Sequence, residues 1–220
     1  DCEMDYVSNP EIRREYLDCD VVHDFSHRKN AHDWMMQQGD PRVLSTLWGS
    51  CWTPPFIKKN VVVWSQDHLK QGLSGATGFE GSGIEELGAL SGALPSAAVV
   101  PGCVDTAFYS ADGVEKEDWY IFMHRPHPAK GVLDAMRLAN QVGVELRLVW
   151  DSRESEEHDY YSRQVLEIAK SMPNVKFEEL PGGENHHTAK RDLLRRAKAM
   201  LFPVKYRECW GIAMAESISC

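Results

Sequence analysis

From residue 119 onward the apolar positions alternate between two periods. "WYIFMHR" (119–125) is a short apolar run fit for a buried strand. "KGVLDAMRLANQVG" follows with Val132, Met136, Ala139 and Val142 at helical spacing, and Gly143 is placed to cap its end. "VELRLVW" reads as a second strand, and "YYSRQVLEIAKSM" as a second helix with Val165, Ile168, Ala169 and Met172 on one face; Pro173 stops it. "NVKFEEL" is a third strand, "TAKRDLLRRAKAM" a third helix and "MLFPV" a fourth strand, which leads into "RECWGIAMAE" and the start of another apolar helix. Strand and helix alternating at this spacing predict a parallel sheet with covering helices, a Rossmann-like α/β architecture.

The first half is less regular. Strand candidates stand at "DCDVVHDF", "PRVLSTLW" and "NVVVWS", and the stretches between them have room for helices, which fits the later part of a second α/β domain. From Ser74 to Ala98 the chain is rich in Gly, Ser and Ala, and a short helix and a loop fit it equally. "VVPGCVDTAFYSADGVEKED" carries turn chemistry at Pro101-Gly102 and Asp112-Gly113 and ends in charge, so it reads as an interdomain connection. The expected organisation is a partial N-terminal domain with linker over 1–113 and a C-terminal domain over 114–220.

Composition narrows the classes. A chain of 220 residues, 43% of them hydrophobic, can bury one sizeable core or two modest ones. No run of 18 or more uncharged apolar residues occurs, which argues against a spanning helix, and the opening "DCEMDYVSNP" has neither the basic nor the apolar stretch of a signal peptide. The formal net charge of −9 argues against a nucleic-acid partner. "AKRDLLRRAK" (189–198) reads as the solvated face of a helix. The six cysteines are scattered with no C-x-x-C, so neither a zinc site nor a disulfide framework is expected, and a reducing, cytoplasmic compartment is. His23 and His27 would make a metal pair only on a helix; "DVVHDFSH" reads as a strand entering a loop, so no metal is expected.

Several motifs then coincide in order. "DVVHDFS", "LSTLWGS" and "VVVWSQDHLK" in the first half, "VVPGCVDTAFY" at the connection, "FMHRPHPAKG" after the first C-terminal strand and "ECWGIAMAE" near the end together resemble the retaining GT-B glycosyltransferases of the family 4, or group 1, type. The last three are similar to that family's "pNGVD...F", "vGRl.p.KG" and E-x7-E segments. The resemblance runs from about residue 17 to the last residue. It implies two Rossmann-like domains whose sheets face a cleft, and transfer of a sugar from a nucleoside-diphosphate sugar to an acceptor hydroxyl with retention and without metal or cofactor.

The resemblance also assigns roles. Glu208 would face the transferred sugar, and Glu216, one turn inside the helix, would accept hydrogen bonds from the ribose. Backbone N–H groups of Trp210, Gly211 and Ile212 would meet the diphosphate at the helix N-terminus, whose unpaired amides and positive dipole end favour an anion. Arg125 and Lys130, on the ligand edge of the sheet, would offset the charge that develops on the leaving diphosphate, as a metal does elsewhere. The nucleotide base would lie near the end of the third strand, at Glu179 to Gly182.

Two departures bear on mechanism. Trp48 stands where many relatives carry a histidine near the transferred sugar, with His27 and His32 as replacements to consider, and His124 replaces the glycine that commonly precedes the motif arginine. The resemblance also starts midway through the N-terminal domain and stops before the last C-terminal elements. A fragment or a shortened member is expected, with sheet edges that a second copy could cover. The acceptor, whether glycan, lipid or protein, stays open, as does peripheral contact with a membrane. A non-catalytic nucleotide-sugar-binding or scaffold protein is the alternative from another class. A GT-B epimerase lacks a candidate acid–base pair in the first half, and a dehydrogenase lacks G-x-G-x-x-G after any strand. Cys209 beside Glu208 has no positioned base to make it a nucleophile.

Overall fold

The computed structural model describes residues 18–24, 30–40, 42–46, 61–64, 69, 98–151, 156–206 and 208–220. The readings on His27, Trp48 and the Gly-rich stretch before Ala98 lie outside them, as does Arg207. The chain divides into two compact units, Asp1–Gly102 with Arg207–Trp210, and Cys103–Tyr206 with Gly211–Cys220. The segment from Cys103 joins the second unit because Val104, Phe108 and Tyr109 pack into its core.

In the first unit four short parallel strands, β1 (Val22–Asp24), β2 (Val43–Thr46), β3 (Val61–Val63) and β4 (Ala98–Val99), lie side by side in chain order. Helix α1 (Asn30–Gln37) follows β1 and packs Met35 against Val22 and Val43. The first three strands fall inside the apolar runs that predict them. β4 was not expected there: it has two residues, neither of them buried, in a short apolar run, Ala97 to Val100, set between the Gly-rich stretch and the Pro101-Gly102 turn. The His23 Nε2 and Thr46 Oγ1 atoms lie 2.7 Å apart and tie β1 to β2.

The second unit holds β5 (Trp119–Met123), β6 (Glu145–Trp150), β7 (Val175–Glu179) and β8 (Ala199–Met200), all parallel, in the order β7-β6-β5-β8. Helices α2 (Val132–Val142), α3 (Glu156–Ala169), α4 (His186–Arg196) and α5 (Ile212–Ser219) complete it. Alternate residues of the strands feed two cores, as the pleat requires. Phe122, Leu146 and Leu148 join Val132, Met136, Ala139 and Val165 of α2 and α3. Ile121, Met123 and Val149 join Leu193 and Leu194 of α4, with Tyr109 and Cys220. Each large apolar side chain so buried contributes about 1.5–3 kcal/mol.

The helix ends follow local chemistry. The Gly143 amide closes α2 on the Ala139 carbonyl (2.9 Å). α3 ends at Ala169, short of Pro173, in two tight turns with Met172 N donating to Ala169 O (2.9 Å) and Val175 N to Met172 O (2.9 Å). A residue before proline disfavours the helical region, so the helix gives out early. β8 is shorter than "MLFPV" predicts: after Leu201 N donates to Ile121 O (2.8 Å) the chain leaves the sheet, because Pro203 has no donor.

Candidate functional site

In chain order the strands of the second unit run third, second, first, fourth, so the direction of winding reverses between β5 and β8. Loops leaving the carboxyl ends of these two strands part to opposite faces, and in open α/β sheets this is the place where ligands bind. The loop after β5 is 124–131, and the segment after β8 runs from 201 to the start of α5.

Backbone and side chains join the two loops. Lys205 N donates to Ala129 O (2.9 Å), and Lys205 Nζ pairs with Asp134 Oδ2 (2.6 Å) at the start of α2. The first contact of that ion pair, a hydrogen bond from Lys205, holds the Asp134 carboxyl below its ordinary range. His127 Nδ1 accepts the Ala129 N–H (3.1 Å) and caps the 3-10 turn Pro128–Lys130. Gly131 ends that turn at φ 75°, and a Cβ there would stand 2.1 Å from the Pro203 carbonyl oxygen. Only glycine permits both the left-handed backbone and the close approach. Lys130 Nζ then donates to the Tyr206 hydroxyl and lies 4.6 Å from the centre of its ring.

The residues singled out from sequence fall as follows. Arg125 is exposed and stands just past the end of β5, in the same loop as half-buried Lys130. His124, beside it, packs edge-on against Phe122 (5.4 Å between centroids) and Phe202 (4.8 Å). Gly211 is buried and caps α5 at φ 67° with no side-chain acceptor, so the amides of the first turn, Ile212 included, have no side-chain cap. Glu216 sits one turn inside α5, as expected. Glu179 is exposed at the end of β7, and the next residue, Leu180, is buried. All of these belong to the second unit. Glu208 and Trp210 are half-buried and group with the first. The Trp210 ring lies on Gly102, where a Cβ would come within 2.4 Å of Nε1.

Two residues that the sequence reading passed over enter the site: Tyr206 and Lys190. Lys190 was counted with the solvated charge run, and this is corrected: its side chain is 16% exposed, and its Nζ lies 2.5 Å from Glu216 Oε2, whose own side chain is 7% exposed. The contact is an ion pair by distance, though off the angles of a hydrogen bond. The signal was present, since Lys190 precedes Leu193, Leu194 and Ala197 at helical spacing and so falls on the buried stripe of α4. Other cations of the run are paired as well, Arg191 with Asp192 (2.7 Å), Arg196 with Glu117 (3.4 Å) and Lys198 with Asp118 (2.5 Å). Tyr109 is buried in the core with no hydrogen-bond partner for its hydroxyl among the described residues, and burial first, then the charge of Glu216, holds its phenol well above the usual range. Among the described residues, no three His, Cys, Asp or Glu side chains stand where they could share a metal ion, and no helix is long and apolar enough to cross a membrane.

No protein-family model matches the sequence, and no curated protein matches it. Solved structures do. The chain is similar to AviGT4, a glycosyltransferase involved in avilamycin A biosynthesis, at 26% identity and a TM-score of 0.64, over 96% of this chain and 57% of that one. It is similar to a glycosyltransferase from Rickettsia africae ESF-5 at 15% identity and a TM-score of 0.65, over 95% and 57%. Anabaena HepE, solved in complex with UDP and glucose, matches at 13% identity and a TM-score of 0.65, over 96% and 59%. The chain thus spans under two thirds of the length of each of these proteins. Its two parallel sheets and their covering helices have the GT-B-like α/β fold of glycosyltransferases.

Proposed function

We propose that the chain belongs to a retaining glycosyltransferase that moves a sugar from a nucleoside-diphosphate sugar to an acceptor hydroxyl without a metal ion. The observation that carries this reading is the joined pair of loops at the point where the strand order reverses. They set Lys130, held by Tyr206, and the uncapped start of α5 on the ligand edge of one parallel sheet. An ammonium and unpaired helix amides are the groups a diphosphate takes, and their attraction grows as the leaving group gains charge. Arg125, exposed in the same loop, supplies a second cation, so the charge a metal would offset is met by side chains. HepE was crystallised with UDP and glucose, a nucleotide and a sugar of the kind this site suits. Glu208 is assigned to the transferred sugar and Glu216 to the ribose. The base is assigned to the segment after β7, where His186 Nδ1 lies 3.2 Å from Pro181 O.

Calorimetric titration with UDP, GDP, ADP and CDP in EDTA tests the reading, on the chain and on Arg125→Ala and Lys130→Ala. Metal-free binding of one nucleotide, weakened about tenfold or more by each substitution, is expected. No binding by the unsubstituted chain would overturn the donor-site assignment. Retention is tested on any product by the anomeric proton coupling in NMR, with the donor's own configuration as the expected outcome.

A further inference from the structure

Glu216 and Lys190 come from different helices, α5 and α4, and meet inside the second unit. A buried ion pair is a weak way to stabilise a fold, because desolvating two charges offsets most of their attraction and an apolar pair of similar volume often does as well. Lys190 occupies a position on the buried stripe of α4 where the neighbours are Leu193, Leu194 and Ala197. Leucine or methionine there would extend the core. The cation instead points at the one buried glutamate among the described residues.

We propose that Lys190 is a positioning residue that fixes the Glu216 carboxylate to accept hydrogen bonds from the ribose hydroxyls of a nucleoside diphosphate. The inference rests on the donor-site reading above and goes beyond it by naming what orients the ribose contact. A carboxylate on a mobile side chain must be ordered when the ligand arrives, whereas one tethered by an ammonium meets the diol in place. Lys190 itself touches no ligand; it acts through Glu216.

The test compares each nucleoside diphosphate of the panel with its 2′,3′-dideoxy counterpart by calorimetry, on the chain and on Lys190→Met, Lys190→Arg and Lys190→Gln. The chain is expected to prefer the hydroxylated nucleotide by about tenfold or more, as hydrogen bonds to a charged group would give. Lys190→Met is expected to reduce that preference to about twofold while leaving the affinity for the dideoxy nucleotide unchanged; Lys190→Arg restores most of it, and Lys190→Gln, which keeps a polar group but no charge, lowers it about threefold. A structural role alone would weaken both nucleotides together, so an equal loss, or an undiminished preference in Lys190→Met, overturns the inference. If Lys190→Met does not fold, an undiminished preference in Lys190→Gln overturns it. Binding by the unsubstituted chain with no preference for the hydroxyls overturns it too and leaves the donor site standing, whereas no binding at all removes both.

Discussion

The carbonyl oxygen of Pro203 occupies the space a Cβ on Gly131 would need, 2.1 Å from its ideal position. The turn that carries Lys130 is therefore seated on the segment leaving β8, and the two loops form one piece.

Gly131→Ala meets a left-handed backbone and a backbone clash at once, and it is expected to cost about 2–4 kcal/mol. Gly113 has a similar φ of 73° with nothing within 4 Å of an added Cβ, so Gly113→Ala meets the first penalty alone, about 1–2 kcal/mol. Urea unfolding followed by tryptophan fluorescence measures the two; equal losses would mean that the Pro203 contact yields easily.

Tyr206 holds the Lys130 ammonium with its hydroxyl and its ring face. Tyr206→Phe keeps the ring and is expected to weaken nucleoside diphosphate binding about threefold, while Tyr206→Ala loses both contacts and weakens it about tenfold. Calorimetry on the two variants reads this order, and an unchanged affinity in Tyr206→Ala would remove Tyr206 from the site.

Along α2, Met136 is 0% exposed and Leu138 is 51% exposed, although both are large apolar residues. Met136→Ala is expected to cost about 2–5 kcal/mol through lost burial and a cavity between β5, β6 and α3. Leu138→Ala should stay within about 0.5 kcal/mol. Their unfolding midpoints in urea check the assignment of the buried face.

Acid should loosen the join between the loops. The Asp134 carboxyl is held below its ordinary 3.8, first by the hydrogen bond from Lys205. A lowered folded-state pKa adds stability that is present above the ordinary value and is lost as pH falls through the folded one. Asp134→Asn is therefore expected to lie below the unsubstituted chain in stability at pH 7, with the gap closing below pH ~4. Urea midpoints at pH 7 and pH 3 give the comparison.

How far the sequence could be read depended on how local each feature is. Trp119–Met123 is legible as an unbroken apolar run, and Glu145–Trp150 because buried Leu146 and Leu148 alternate with Glu145 and Arg147 before the strand closes in the apolar Leu148-Val149-Trp150. β4 pairs exposed Ala98 and half-buried Val99 with β3, and its run of four apolar residues is cut off at once by Pro101-Gly102. Arg125, Lys130, Gly211 and Glu216 are singled out by the order of short motifs, and all four lie in the second unit. Tyr206 was not found, since its bond to Lys130 joins residues distant in sequence. Lys190 was hidden by a sound generalisation applied to the wrong residue: a charge run is usually solvated, but one member of this run lies on the helix stripe that also carries Leu193 and Leu194.

The Lys190–Glu216 pair also changes what a single substitution at Glu216 can mean. Alanine there deletes a candidate ligand contact and, in the same stroke, strands an ammonium where little water reaches it. The measured loss would then mix two effects of opposite interpretation. Methionine at 190 in the alanine background removes the stranded charge, so the double variant, set against each single one, separates the loss of a recognition group from an electrostatic injury to the helix pair.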